Sequence, residues 1–139
     1  MATLILPPIE RAQYRSVWKR LVNAHTILLI SPKRPDGDSI GSICGLRDAL
    51  ASIGKSATIF CPDPAPPTFA TVPRIHELVV GMDALRGRTF GVIVICDSGD
   101  LAYSGVADAL DHWRAPDSTL IVIDHHATNT AYGDLNCVI

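Results

Sequence analysis

The sequence predicts an α/β protein: a three-layer sandwich with a mostly parallel central sheet and helices on both faces. Strand-like and helix-like segments alternate along the chain, the pattern of parallel strands joined by crossover helices. Two of the strand-like segments, Phe90–Cys96 and Leu120–Ile123, are continuously apolar, which marks strands covered on both faces. Three apolar runs also close on acidic residues, and the carboxyl ends of parallel strands are where an open α/β sheet binds its ligand.

The elements follow in order. Pro7-Pro8 opens a helical pattern, since proline is tolerated at a helix start. Tyr14, Val17, Trp18, Leu21 and Val22 form its apolar stripe. Ile27–Ser31 reads as the first strand. The next helix takes Asp38 or Ser39 as its cap, lines one face with Ile40, Ile43, Leu46, Leu50 and Ile53, and stops at Gly54. Ala57–Cys61 is a short strand. Prolines 62, 64, 66, 67 and 73 make an irregular connection. Glu77–Val80 is a short strand, Phe90–Cys96 a central one, Leu101–Trp113 a helix, Leu120–Ile123 a buried strand and Leu135–Ile139 a last strand.

Composition narrows the function classes. A chain of 139 residues with 47% apolar residues supports one packed domain. Net charge is −2, so no global basic field draws in nucleic acid, and any phosphate chemistry must be local. Cys44, Cys61, Cys96 and Cys137 lack C-x-x-C spacing and read as buried reduced thiols. Met1–Leu6 is apolar but too short, and too poor in basic flanks, for a signal peptide. No apolar run approaches the ~20 residues that span a bilayer. A cytoplasmic, membrane-free setting is the expectation.

The chemistry lies in the three acidic clusters. Pro35-Asp36-Gly37-Asp38 follows the first strand, Asp97 closes the central one, and Asp124-His125-His126 closes the next. Asp36 and Asp38 share one tight loop, where like charges repel unless a cation lies between them. Asp38 suits either an N-cap or a ligand. Asp97 ends a wholly apolar strand, where a carboxylate is costly to bury unpaired, and the centre of the sheet suits it to bridge metal ions. Asp100 suits the N-cap of the helix beginning at Leu101. In extended chain His125 and His126 would point opposite ways, one toward metal and one toward substrate, with Asp124 orienting an imidazole. Carboxylates plus imidazole suit Mn²⁺ or Mg²⁺. His25 precedes the first strand, which spans roughly 15 Å at ~3.3 Å per residue, so it lies out of reach. His76 and His112 lie away from the motifs.

Taken together, Pro35-Asp36-Gly37-Asp38-Ser39-Ile40-Gly41-Ser42, Val94-Ile95-Cys96-Asp97, Ile123-Asp124-His125-His126 and Gly133-Asp134-Leu135-Asn136 resemble the DHH phosphoesterase superfamily, over about His25 to Ile139. Its members include RecJ-like exonucleases, oligoribonuclease and nucleotide phosphatases, and family II pyrophosphatases. The resemblance implies two divalent ions, usually Mn²⁺. Asp36 would ligate one, Asp38 and His125 the other, and Asp97 both, while His126 would contact the scissile phosphate. The implied substrates are short oligonucleotides or nucleotide phosphates.

The sequence departs from the family at Pro32, where the motif begins with a His that proline cannot replace as a ligand. Lys33 and Arg34 could hold phosphate at the vacated place. Residues 1–139 are expected to be a single partial DHH domain, with 1–24 as an N-terminal helical segment and the C-terminal substrate-binding domain absent. Such a fragment is expected to be weakly active or inactive. Two functions therefore compete: a metal-dependent phosphoesterase, and a nucleotide- or phosphate-binding module without turnover. The unfinished sheet edge at Leu135–Ile139 could pair with a second copy as a homodimer.

Overall fold

The computed structural model describes residues 7–139, so the expectation for Met1–Leu6 lies outside the described residues. Six strands form one sheet, and every strand pairing is parallel. In chain order the elements are α1 (Pro8–Asn23), β1 (Ile27–Ile30), α2 (Gly37–Ser52), β2 (Thr58–Cys61), β3 (Val79–Val80), β4 (Phe90–Cys96), α3 (Leu101–Ser104), α4 (Ala107–Trp113), β5 (Arg114–Asp124) and β6 (Leu135–Val138). Across the sheet they run β3-β2-β1-β4-β5-β6. The chain works outward from β1 to one edge, returns to the middle as β4, then works outward to the other.

Side-chain alternation builds a core on each face. Ile27, Leu29, Val92, Val94 and Cys96 face one way and meet Val17 and Leu21 of α1 and Ile40, Ile43 and Leu50 of α2. Leu28, Ile30, Ile93 and Ile95 face the other way and meet Leu85, Val106, Leu110 and Trp113. The fold is therefore the three-layer α/β sandwich that the alternation predicts. β1 and the carboxyl end of β4 are buried on both sides, which is why their sequences are continuously apolar.

Several boundaries differ from the sequence reading, each for a local reason. The helix expected over Leu101–Trp113 is two helices, because Gly105 turns left-handed (φ 81°) at the end of α3. A Cβ there would also crowd the Lys33 side chain, 3.1 Å from its Cβ. β5 begins at Arg114 rather than Leu120, with a register irregularity opposite Phe90–Val92. Of Glu77–Val80 only Val79–Val80 is strand, since Ile75–Glu77 turns as a short 3-10 helix. The cap of α2 is Asp36, not Asp38 or Ser39. Its side chain accepts from the Ser39 amide at 3.0 Å and its own amide donates to Ser39 Oγ at 3.1 Å, a reciprocal capping box. Trp18 lies at core spacing yet is 40% exposed, whereas Val17 and Leu21 carry the buried face of α1.

The segment Gly133-Asp134-Leu135-Asn136 anchors β6. A Cβ on Gly133 would lie 2.9 Å from both the Leu135 carbonyl and Val122 Cγ2. The Gly133 amide donates to Asn136 Oδ1, and the Asn136 amide group donates back to the Gly133 carbonyl. Asp134 Oδ2 accepts from the Leu120 amide at 2.8 Å and from Arg114 at 2.6 Å. The Leu120 amide, helped by Arg114, holds the Asp134 carboxyl below the usual carboxylate range.

A carboxylate with a lowered folded pKa stabilises the fold above its unfolded pKa and loses that contribution as pH falls through the folded value. The Asp134 side chain is about half exposed, so water screens its charge, and Asp134→Asn is expected to destabilise the fold only slightly at neutral pH. Denaturant unfolding from pH 7 downward checks it: the gap between variant and wild type should narrow below about pH 4. A gap independent of pH would place the effect elsewhere than in the carboxylate charge.

Candidate metal and phosphate site

β1 and β4 are adjacent, but the connections leaving them turn to opposite faces of the sheet. A crevice opens beyond their carboxyl ends, at the point where an open α/β sheet places its ligand. Asp36 and Asp38 sit on the loop and first turn after β1. Asp97 immediately follows β4, and Asp124, His125 and His126 end β5.

Asp97 is the centre of the group. It is 9% exposed and its backbone is left-handed (φ 63°), a conformation that Asp and Asn tolerate better than most residues. Its amide donates to the Ile123 carbonyl, which ties the turn to β5. His125 Nε2 lies 2.9 Å from Asp97 Oδ1 and 3.8 Å from Asp38 Oδ2. His126 Nδ1 lies 4.0 Å from the same Asp97 oxygen. Ligand-type atoms of Asp97, Asp124, His125 and His126 all fall within 4.8 Å of one another.

The carboxylates titrate apart. Burial, then the charge of Asp36, pushes the Asp97 carboxyl up, with His125 opposing. Asp36 is held low, first by the Ser39 amide of its own capping box. A proton shared by the pair therefore goes to Asp97 first.

Asp124 holds the other half in place. Its side chain has no exposed surface, and it accepts from His126 Nδ1 at 2.6 Å and Asn129 Nδ2 at 2.7 Å. Burial raises its carboxyl, but the hydrogen bonds from Asn129 and His126 outweigh burial and leave it below the usual range. The same bond to Asp124 holds the His126 imidazole above its ordinary value. Asn129 carries no signal in the sequence beyond its distance of five residues from Asp124, and the sequence reading missed it.

The expectation that His125 and His126 point opposite ways needs correction. β5 ends at Asp124, so both follow the strand rather than extend it, and their rings pack edge to face at 4.8 Å. They nevertheless open onto different cavities. His126 lines one of about 280 Å³ with Pro32, Arg34, Asp36, Ser39, Asp97 and Tyr103. His125 lines one of about 250 Å³ with Asp38, Ser42, Asp97 and Asp124. Asp97 borders both. Lys33 lies outside both linings, its stem against Gly105 and its amide on the Ser104 carbonyl. Asp100 caps α3 through the Tyr103 amide, as expected, and also lines the first cavity.

The donor set fits a divalent cation. Carboxylate oxygens and imidazole nitrogens converge within ligand range, and a cation would offset the burial and repulsion that raise Asp97.

The fold and this site define a doubly wound α/β domain with a carboxylate and imidazole centre at its topological switch point. Residues 26–138 match the DHH family, N-terminal domain, and the chain belongs to that family. It is 28% identical over 113 residues to the bifunctional oligoribonuclease and PAP phosphatase NrnA of Bacillus subtilis (strain 168), covering 79% of this chain and 32% of that protein. Its fold is similar to that of an exopolyphosphatase-related protein from Bacteroides fragilis, with a TM-score of 0.79 and 21% identity over 99% of this chain and 40% of that one. The chain thus spans about a third of the first of these proteins and two fifths of the second.

The charges and hydrogen bonds around Asp97 and Asp124 set the expected stability of three variants. A raised carboxyl pKa means that ionised Asp97 weakens the fold above that pKa, so Asp97→Asn should melt at or above wild type at neutral pH. Asp97→Ala should melt below both, because it loses the His125 bond and suits φ 63° poorly. Thermal melts in chelator decide the order, and an Asn variant well below wild type would contradict the repulsion argument. Asn129→Ala should cost about 1–3 kcal/mol by leaving a buried carboxylate oxygen unpaired. Urea unfolding measures it, and a neutral result would remove Asn129 from the site's support.

Proposed function

We propose that this domain is a metal-dependent phosphoesterase that hydrolyses phosphodiester or phosphomonoester bonds of short oligonucleotides or nucleotides. The observation that carries the reading is the meeting of Asp36, Asp38, Asp97, His125 and His126 around two cavities that share Asp97. Asp38, Asp97 and His125 would hold a divalent ion; the second ion that the family resemblance implies would fall beside Asp36 and Asp97, where this chain also has Pro32 and Arg34. Mn²⁺ or Mg²⁺ bound there would supply a nucleophile from water and offset charge developing on the phosphoryl group.

The chain's own residues divide the remaining work. Asp124 fixes His126 by its Nδ1, so Nε2 is the atom left to meet a phosphate oxygen. The same bond favours the protonated ring, which can donate to that oxygen or to a leaving group. Arg34 lines the same cavity and adds a fixed positive charge. The four cysteines are free and buried, which agrees with a reducing, cytoplasmic setting. No described helix is long and apolar enough to cross a membrane.

A second reading, a phosphate-binding module without turnover, draws on Pro32. This residue lines the cavity beside Asp36 and Asp97 and offers no ligand atom from its side chain. Turnover separates the two readings. With Mn²⁺ the chain is expected to hydrolyse a dinucleotide or 3′-phosphoadenosine-5′-phosphate only weakly, and Asp97→Ala should abolish that weak turnover. Binding of both compounds without hydrolysis would favour the module. His126→Ala should leave Mn²⁺ affinity nearly unchanged and weaken binding of a phosphate ligand by about 1–3 kcal/mol, measured by calorimetric titration. Loss of Mn²⁺ in that variant would instead make His126 a metal ligand.

A further inference from the structure

The two cavities that meet at Asp97 differ in charge. The ionisable groups lining the one beside His125 are Asp38, Asp97, Asp124 and His125, with no Lys or Arg among them. The other contains Arg34 among its carboxylates.

The main chain places Arg34 in that cavity. It stands between buried Pro32 and Pro35 with a left-handed backbone (φ 53°), and its amide donates to Asp63 Oδ2 at 2.7 Å. The root of the side chain is thereby held from both directions. Arg34 is exposed, and among the described residues its guanidinium makes no hydrogen bond or ion pair, so water is all that a ligand in this cavity would displace from it. A planar fork of N–H donors is left for a ligand.

The neighbouring donors and acceptors are already committed. The Ser39 amide at the start of α2 serves Asp36, so the helix end does not offer it to an anion. The Tyr103 amide serves Asp100. The same bonds occupy one oxygen of Asp36 and one of Asp100, and His125 occupies one of Asp97. His126 brings only its Nε2, because Nδ1 is held by Asp124. A divalent ion in this cavity would find partly engaged carboxylates and a nearby guanidinium that repels it. A phosphate would find an unpaired guanidinium and an imidazole.

We propose that the chain binds one divalent ion rather than two, in the Asp38–His125 cavity, and that Arg34 takes the place of a second cation by anchoring a phosphate oxyanion in the adjoining one. This rests on the reading of the site given above. Asp97, on the border, then couples the two: its carboxylate helps to hold the ion on one side and closes the phosphate subsite on the other. The ligand class is a phosphate monoester or diester with two unesterified oxygens, which a guanidinium can grip with parallel N–H bonds.

The test is Mn²⁺ titration of the full chain by electron paramagnetic resonance, followed by titration of inorganic phosphate at saturating Mn²⁺. It is run on wild type, Arg34→Gln and Arg34→Lys. One ion per chain is expected in all three. Phosphate affinity should fall at least about tenfold in Arg34→Gln and recover in part in Arg34→Lys, which keeps the charge but not the fork. Two ions of similar affinity in wild type would overturn the inference and leave the phosphoesterase reading standing. Unchanged phosphate affinity in Arg34→Gln would also overturn it. No Mn²⁺ bound at millimolar concentration would instead overturn the metal-dependent reading beneath it.

Discussion

The site exists because the chain reverses its direction of travel across the sheet between β1 and β4. A strand, a crossover and a parallel strand close with a right-handed turn, so moving outward in opposite directions puts the connecting helices on opposite faces. α2 packs with the core on one face and α4 with the core on the other. No helix can then cover the ends of both central strands, and the gap between them is lined by whatever follows each strand. Here Asp36 and Asp38 follow one and Asp97 the other. β5, next to β4, adds Asp124, His125 and His126 to the same edge.

Gathering carboxylates at such a place has an electrostatic consequence. Asp97 is nearly buried, close to Asp36, and relieved only in part by His125. Three other carboxylates are settled locally: Asp36 by the capping box, Asp124 by His126 and Asn129, and Asp134 by Arg114 and the Leu120 amide. Asp97 keeps a raised carboxyl and a left-handed backbone, an arrangement that costs stability and makes sense when a cation completes it. Arg34 extends the same logic, since its positive charge borders one cavity and the neighbouring cavity has no Lys or Arg in its lining.

Much of this was legible in the sequence, because burial on both faces and strand-end chemistry leave direct traces. Phe90–Cys96 reads as a central strand from its unbroken apolar run, and the three acidic clusters fall at one edge once the strands are taken as parallel. The misreadings share a cause: each depended on a local backbone choice that periodicity does not encode. A left-handed Gly105 splits a helix whose apolar spacing continues across it. Asp36 caps α2 because Ser39 can return its bond, a reciprocity that residue types alone do not distinguish from a cap at Asp38. His125 and His126 do not alternate because β5 stops at Asp124. Trp18 has core spacing, but Val17 and Leu21, with Tyr14 packed beside them, fill the buried face of α1. Asn129 was invisible because its role depends on a turn that brings it back to Asp124.

The central claim is that Asp97 organises a cation site at the switch point, with Asp38 and His125 as its companions. The most direct measurement is anomalous diffraction at the manganese edge from crystals of the full chain soaked in Mn²⁺. The account predicts an anomalous peak within ligand distance of Asp97 Oδ, Asp38 Oδ and His125 Nε2, at about 2.0–2.2 Å, the range of carboxylate and imidazole bonds to divalent first-row metals. A peak elsewhere on the surface, with Asp97 unligated, would contradict it.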